Sequence, residues 1–270
     1  MRIATIADLH LNDNNAMTII EGLWKYVVNN AIDLLLIAGD ISEDVHQTIE
    51  YVNIISTKVA VKYVPGNHDL WNKYNKMETK DIFQMYLADP NCLLMKTGIT
   101  KTGVEIIGHI GWYDYSLGDT SKYSIAELDS MTINERTWND KHYVDFGISN
   151  KQMCDLFNAQ LEGLIKSNGG KKILLTHMIS HPGFKVENDP LRKNEGFFNS
   201  FIGSEGLYKL SQDDNIEYVI CGHVHYRKTI QEDNRLYICP CLGTEKEWSK
   251  YLADTSIDAQ LADTIQVIII

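Results

Sequence analysis

Between Met1 and Gly66 the chain alternates two kinds of hydrophobic pattern, and this alternation restricts the fold more than any other feature. Ile3–Ala7, Leu34–Ala38 and Val59–Val64 are short apolar runs that suit strands buried on both faces. Two segments of helical period separate them. One, from about Asn15 to Asn30, aligns Met17, Ile20, Leu23, Trp24, Val27 and Val28. The other, Asp44 to Ile55, aligns Val45, Ile49, Val52 and Ile55. The order β-α-β-α-β implies parallel strands joined by crossover helices.

The rest of the chain repeats this habit less regularly. Val104–His109, Ile173–Thr176, Ile216–Cys221, Arg227–Gln231, Leu236–Cys239 and Gln266–Ile270 read as strands. Asn150–Ser167 reads as a helix with Met153, Leu156, Phe157, Leu161, Leu164 and Ile165 inward, stopped by Gly169-Gly170. The stretch 112–148 is aromatic, polar and aperiodic, and is expected to be an insertion over a sheet edge. With only 5 prolines and no low-complexity linker or repeat, residues 1–270 are expected to form one domain.

Residues able to bind metal recur where these runs end: Asp8-Leu9-His10, Gly39-Asp40, Gly66-Asn67-His68-Asp69, Thr176-His177 and Gly222-His223-Val224-His225. Ligands of open α/β sheets bind at the carboxyl ends of the strands, so one cleft can gather all five segments. Imidazole with carboxylate and amide oxygen suits zinc, manganese or iron better than calcium. So many donors exceed the needs of one ion, and two cations ~3.5–4 Å apart form the clamp used for displacement at phosphorus. Taken singly, each segment has a plain reading as a turn, a helix cap or a strand pair. Five of them in one order, each behind an apolar run, make coincidence a poor explanation.

The ordered set D-x-H, G-D, G-N-H-D, H and G-H-x-H resembles that of the calcineurin-like metallophosphoesterase superfamily, from Asp8 to His225. The resemblance implies an α/β fold, a four-layer α/β/β/α sandwich of two mixed sheets flanked by helices. It further implies two divalent or trivalent metal ions (manganese, iron or zinc). Asp8, His10 and His225 would hold the first, Asp40 would bridge, and Asn67, His177 and His223 would complete the second. His68 would contact the phosphate and protonate the leaving oxygen, with Asp69 orienting it. Hydrolysis of a phosphomonoester or phosphodiester by a metal-bridging hydroxide, without a phosphoenzyme, follows from that likeness. Two alternatives stay open: a non-catalytic metal-binding interaction protein on the same fold, and a nuclease.

Other residues bear on substrate and location. His109, at a strand end, and His181, in the loop after His177, are candidate substrate contacts. Trp112, Tyr113, Tyr115, Tyr123 and Trp138 either wall the cleft for a planar group or pin the insertion to the body. A net charge of −11, with no basic cluster larger than Lys171-Lys172, argues against a nucleic-acid partner. A small phosphorylated, nucleotide-like compound is the expected substrate class. The five cysteines form no C-x-x-C pair, and Cys239-Pro240-Cys241 reads as the end of a buried strand. The N-terminal apolar run stops at Asp8, and no stretch approaches the ~20 apolar residues of a membrane span, so a cytoplasmic protein is expected.

Overall fold

Hydrogen-bonding the apolar runs side by side produces two sheets. The computed structural model describes residues 1–270 except 13, 14, 72, 74, 75, 168 and 187–193. In chain order the strands are β1 (Arg2–Ile6), β2 (Leu34–Ala38), β3 (Ala60–Val64), β4 (Lys96–Ile99), β5 (Glu105–Gly108) and β6 (Thr132–Ile133). They continue with β7 (Arg136–Thr137), β8 (Lys172–Leu175), β9 (Ile216–Ile220), β10 (Arg227–Glu232), β11 (Arg235–Pro240) and β12 (Gln266–Ile269). The first sheet runs β12-β1-β2-β3, with β12 antiparallel to β1 and the other pairs parallel. The second runs β10-β11-β9-β8-β5-β4, parallel at its centre and antiparallel at both edges.

Both sheets are mixed and flanked by helices, as the four-layer expectation requires. Every residue of β2, β5 and β8 is buried, which explains why those runs lack polar alternation. The sheets meet where β1 and β11 end: the amide of Ala7 donates to the Pro240 carbonyl (3.0 Å), and that of Leu242 to the Ala7 carbonyl (2.9 Å). The carboxyl ends of strands from both sheets are thereby brought to one rim.

The helices stop and start on recognisable chemistry. Asn15 caps Ala16–Asn29 by accepting from the Thr18 amide (3.3 Å). Asp44 caps Val45–Ile55 by accepting from the amides of His46 (2.9 Å) and Gln47 (3.1 Å). The buried faces are narrower than the sequence pattern suggests. Met17, Val28 and Leu156 point to solvent, because the outer helices bury only a stripe against their sheet. The helices Thr79–Ala88 and Ile257–Thr264, and edge strand β4, were not expected from the pattern.

Within 112–148 lie the small hairpin β6–β7 and the short helix Asp140–Tyr143. Trp112, Tyr113, Tyr115 and Tyr123 are buried there, so four of the five aromatics pin this segment down, and Trp138 lines a cavity. Among the described residues no helix is long and apolar enough to cross a membrane.

Candidate metal centre

The seven expected ligands come from loops that leave the strand ends, five of them in an uncommon conformation. Asp8, His10, Asp40, His223 and His225 all have positive φ, between 44° and 75°. A left-handed backbone costs a non-glycine residue on the order of 1–3 kcal/mol, and such strain concentrates at functional sites. Two motif glycines make room for these side chains: a Cβ on Gly66 would run into the Asp40 carboxylate, and one on Gly222 into that of Asp8.

The donors converge. Asp8, His10 and His225 offer atoms within 4.8 Å of one another, and so do Asp40, His177 and His223; His10, Asp40 and His68 form a third such group. Asp40 sits between the first two sets, with Oδ1 3.4 Å from His177 Nε2 and Oδ2 3.9 Å from His10 Nε2. The Asp8 carboxylate accepts from the His223 amide (3.0 Å) and lies 3.4 Å from His225 Nε2. Burial, with Asp8 and Asp69 close by, pushes the Asp40 carboxyl well above the usual carboxylate range. Burial likewise holds His10 and His177 well below the ordinary imidazole value and takes His223 down to about 3. These rings are neutral and present lone pairs.

The tautomers can be read from fixed acceptors. His177 donates Nδ1–H to the Ala38 carbonyl (2.8 Å), which leaves Nε2 bare. His223 donates Nε2–H to the Phe201 carbonyl (3.2 Å), which leaves Nδ1 bare. Asn67 donates its amide NH₂ to Asp140 Oδ1 (2.8 Å), so its own Oδ1 faces inward. That oxygen is 3.0 Å from His177 Nε2 and 2.9 Å from His223 Nδ1, and the two ring nitrogens are 3.1 Å apart. Three acceptors crowd together with no proton to share, a donor set matched to a cation. At the other group, His225 donates Nδ1–H to Glu247 (2.7 Å), and its Nε2 meets His10 Nε2 at 2.9 Å. Burial lowers His225, but the Glu247 hydrogen bond and the charge of Asp8 outweigh it and leave this imidazole raised.

His68 lies at the edge of this cluster, with Nε2 3.9 Å from Asp40 Oδ2 and its ring stacked on Trp71 at 3.6 Å between centroids. Its Nδ1 is 3.3 Å from Glu43 Oε1, and Lys73 Nζ sits 2.7 Å from that same oxygen. The expected partner, Asp69, points elsewhere. Its carboxylate accepts from the amides of Gly66 (2.7 Å), Ser42 (3.1 Å) and Ile41 (3.2 Å) and from the Thr48 hydroxyl (2.8 Å). Residues 68–70 form a 3₁₀ turn, in which successive side chains diverge by about a third of a turn. Asp69 therefore ties the β2 and β3 loops together, and Glu43 is the group that touches His68.

The two candidate substrate histidines also lie elsewhere. His109 is fully buried, accepts from the Gly111 amide (3.0 Å) and packs edge-on against Phe157 of the helix Asn150–Lys166. Strand alternation has turned it to the helix face. His181 accepts from the Gly183 amide (2.9 Å) and packs against Tyr208 and Tyr237, with Nε2 3.6 Å from Glu232. Glu232 ends β10, whereas His225 precedes it, so His181 occupies the far end of that strand.

Two adjoining cavities open over the cluster. One of about 310 Å³ is lined by Asp40, His68, His223, His225 and Glu247. The other, about 510 Å³, is lined by Asn67, His68, Trp71, Arg136, Trp138 and Phe198. They share His68, Trp138, Val186 and Phe198. Such volumes suit a small organic ligand.

Residues 1–227 match the family described as calcineurin-like phosphoesterase. The chain is 25% identical over 253 residues to a probable cyclic nucleotide phosphodiesterase of Coxiella burnetii, spanning 88% of this chain and 81% of that protein. It is also 25% identical over 288 residues to an uncharacterized protein of Acanthamoeba polyphaga mimivirus, spanning 96% and 98%. Among solved structures, phosphopantetheinyl hydrolase from Mycobacterium tuberculosis superposes with a TM-score of 0.77 at 16% identity, over 99% of this chain and 95% of that one. The structural likeness concerns the fold.

Proposed function

The chain belongs to the calcineurin-like phosphoesterase family, and on that premise we propose that it hydrolyses a small, nucleotide-like phosphate ester with two metal ions at the strand-end cluster. The observation that carries this reading is the crowding of Asn67 Oδ1, His177 Nε2 and His223 Nδ1 beside an aromatic-walled cavity. Asp8, His10 and His225 would hold one cation, Asn67, His177 and His223 the other, and Asp40 both. When bound, such cations supply positive charge to the phosphoryl oxygens and lower the pKa of a water nucleophile. Manganese, iron and zinc all suit these donors.

The chain's own groups supply the rest. His68 presents Nε2 toward the cavity while Glu43 takes its Nδ1 and Trp71 holds its plane. Burial, then the charges of His225 and Lys73, bring its pKa down to about 3, so the ring waits neutral. An arriving phosphate anion favours the protonated form, placing a proton where the leaving oxygen needs it. Trp138 and Phe198 give the cavity apolar walls for an organic group, while the Trp71 ring is taken up by stacking with His68 and Tyr143. The related probable cyclic nucleotide phosphodiesterase agrees with a nucleotide-like diester, and a net charge of −11 disfavours the nuclease alternative.

The test uses protein stripped of metal, reloaded with manganese, iron or zinc, and offered cyclic nucleotides, nucleoside monophosphates and nitrophenyl mono- and diesters. Turnover should need about two metal equivalents per chain. Two bound equivalents without turnover of any ester would instead support the non-catalytic binding protein, and uptake of one would rule out the paired site. Glu247 offers a finer check. Because it fixes the His225 tautomer, Glu247→Gln should weaken one of the two metal equivalents ~10–100-fold in a calorimetric titration and spare the other. Equal weakening of both would mean that Glu247 acts on the whole rim and not through His225.

A further inference from the structure

Asp140 is 1% exposed and belongs to the segment 112–148, outside every metal-type motif. Its carboxylate accepts four hydrogen bonds. Oδ1 takes the Asn67 amide (2.8 Å) and the Trp71 indole N–H (2.6 Å); Oδ2 takes the Trp138 indole N–H (2.8 Å) and the Tyr113 hydroxyl (3.1 Å). Burial raises the pKa of this carboxyl and the four hydrogen bonds work against that rise, an arrangement suited to an ionised carboxylate that accepts from all four donors. The donors come from the loop after β3, the loop after β5 and the segment after β7.

The orientation of Asn67 depends on this contact. An asparagine side chain can be turned end for end at little steric cost, which exchanges an acceptor for two donors. Turned inward, the NH₂ would face His177 Nε2 and His223 Nδ1 in place of the oxygen. Among the described residues, the contact that opposes that turn is the attraction between the NH₂ and Asp140 Oδ1. The same oxygen holds the indole of Trp71, on which the His68 ring lies.

We propose that Asp140 is a positioning residue: it keeps the Asn67 amide oxygen facing His177 and His223 and, through Trp71, sets the plane of His68. The proposal rests on Asn67 being a metal ligand, as the function proposed above requires. It assigns a chemical task to a segment that otherwise reads as decoration, because metal affinity and cavity wall are both set from residue 140.

The experiment counts metal and measures turnover in parent protein and three variants, with folding checked by circular dichroism and melting. Asp140→Asn replaces one acceptor oxygen by a donor at constant shape, and it should weaken one metal equivalent ~10–100-fold while the other stays near the parent affinity. Combining it with Asn67→Asp exchanges carboxylate and amide: the new amide donates to the new carboxylate, and an oxygen again faces the histidines. The exchanged pair should recover the weakened equivalent. Trp71 loses an acceptor in both variants, so comparing them isolates the Asn67 contact, and the pair tests the idea even if the single variant folds poorly. Tyr113→Phe removes a donor from Oδ2 only and should keep both equivalents. The proposal is overturned if Asp140→Asn binds both metals like the parent, if the folded exchanged pair recovers nothing, or if Tyr113→Phe loses metal equally. A parent that never takes up two equivalents would overturn the metal reading itself, which separates the two failures.

Discussion

Asp40→Asn is expected to empty the site of both cations and to lower kcat/KM by ~10³-fold or more, with the fold retained. Asp40 is the one ligand candidate that lies between the two donor sets, its oxygens facing His177 on one side and His10 on the other. An amide presents one acceptor where the carboxylate presents two, and it removes the negative charge that two adjacent cations require. Losing the several kcal/mol that bound cations contribute to a phosphoryl transition state corresponds to at least ~10³ in rate. Elemental analysis after incubation with manganese, iron or zinc gives the first readout and turnover the second. Full metal content in the variant would show that Asp40 bridges nothing.

His68→Ala should do the reverse, keeping its metal and losing turnover by ~10²–10⁴-fold, the usual worth of general acid help. The seven other residues already supply the donors of both sets, and the His68 ring is placed by Trp71 and Glu43. Leaving groups separate the possibilities. Nitrophenolate departs with little need of a proton, so its esters should suffer much less than alkyl esters or cyclic nucleotides. If good and poor leaving groups slow alike, His68 clamps the phosphate; if one metal equivalent disappears, it is a ligand.

Much of the centre was legible because of where the chain stops being apolar. β1, β2, β3, β8 and β9 are buried enough to read as runs, so the polar residues closing each run stand out, and sheet geometry places them on one rim. The supporting groups gave no such signal. Glu247 closes a capping box with Thr244 at the start of its short helix, and only the tertiary fold brings it to His225. Glu43 and Asp140 carry no period, and their partners lie twenty-five and seventy-three residues away in sequence. Adjacency misled at Asp69, where the 3₁₀ turn sends neighbouring side chains apart. It misled again at His109, where being at a strand end did not decide which face the ring would take. Sequence reveals what must be buried and what must be polar; which polar groups touch is settled by rotations that no one-dimensional pattern records.

Asp8, Asp40 and Asn67 follow strands of one sheet, whereas His177, His223 and His225 follow strands of the other. A cation held by both halves would act as a rivet across the seam, so that loading it would add to the stability of a fold that forms without it. By mass action, a ligand at 1,000 times its dissociation constant adds about 4 kcal/mol to the folded state for each site. Against a total stability of ~5–15 kcal/mol for a typical native protein, two such rivets would be a large share of the net margin. On the two-metal reading proposed above, metal supply to this chain would set how long the protein survives as well as how fast it works.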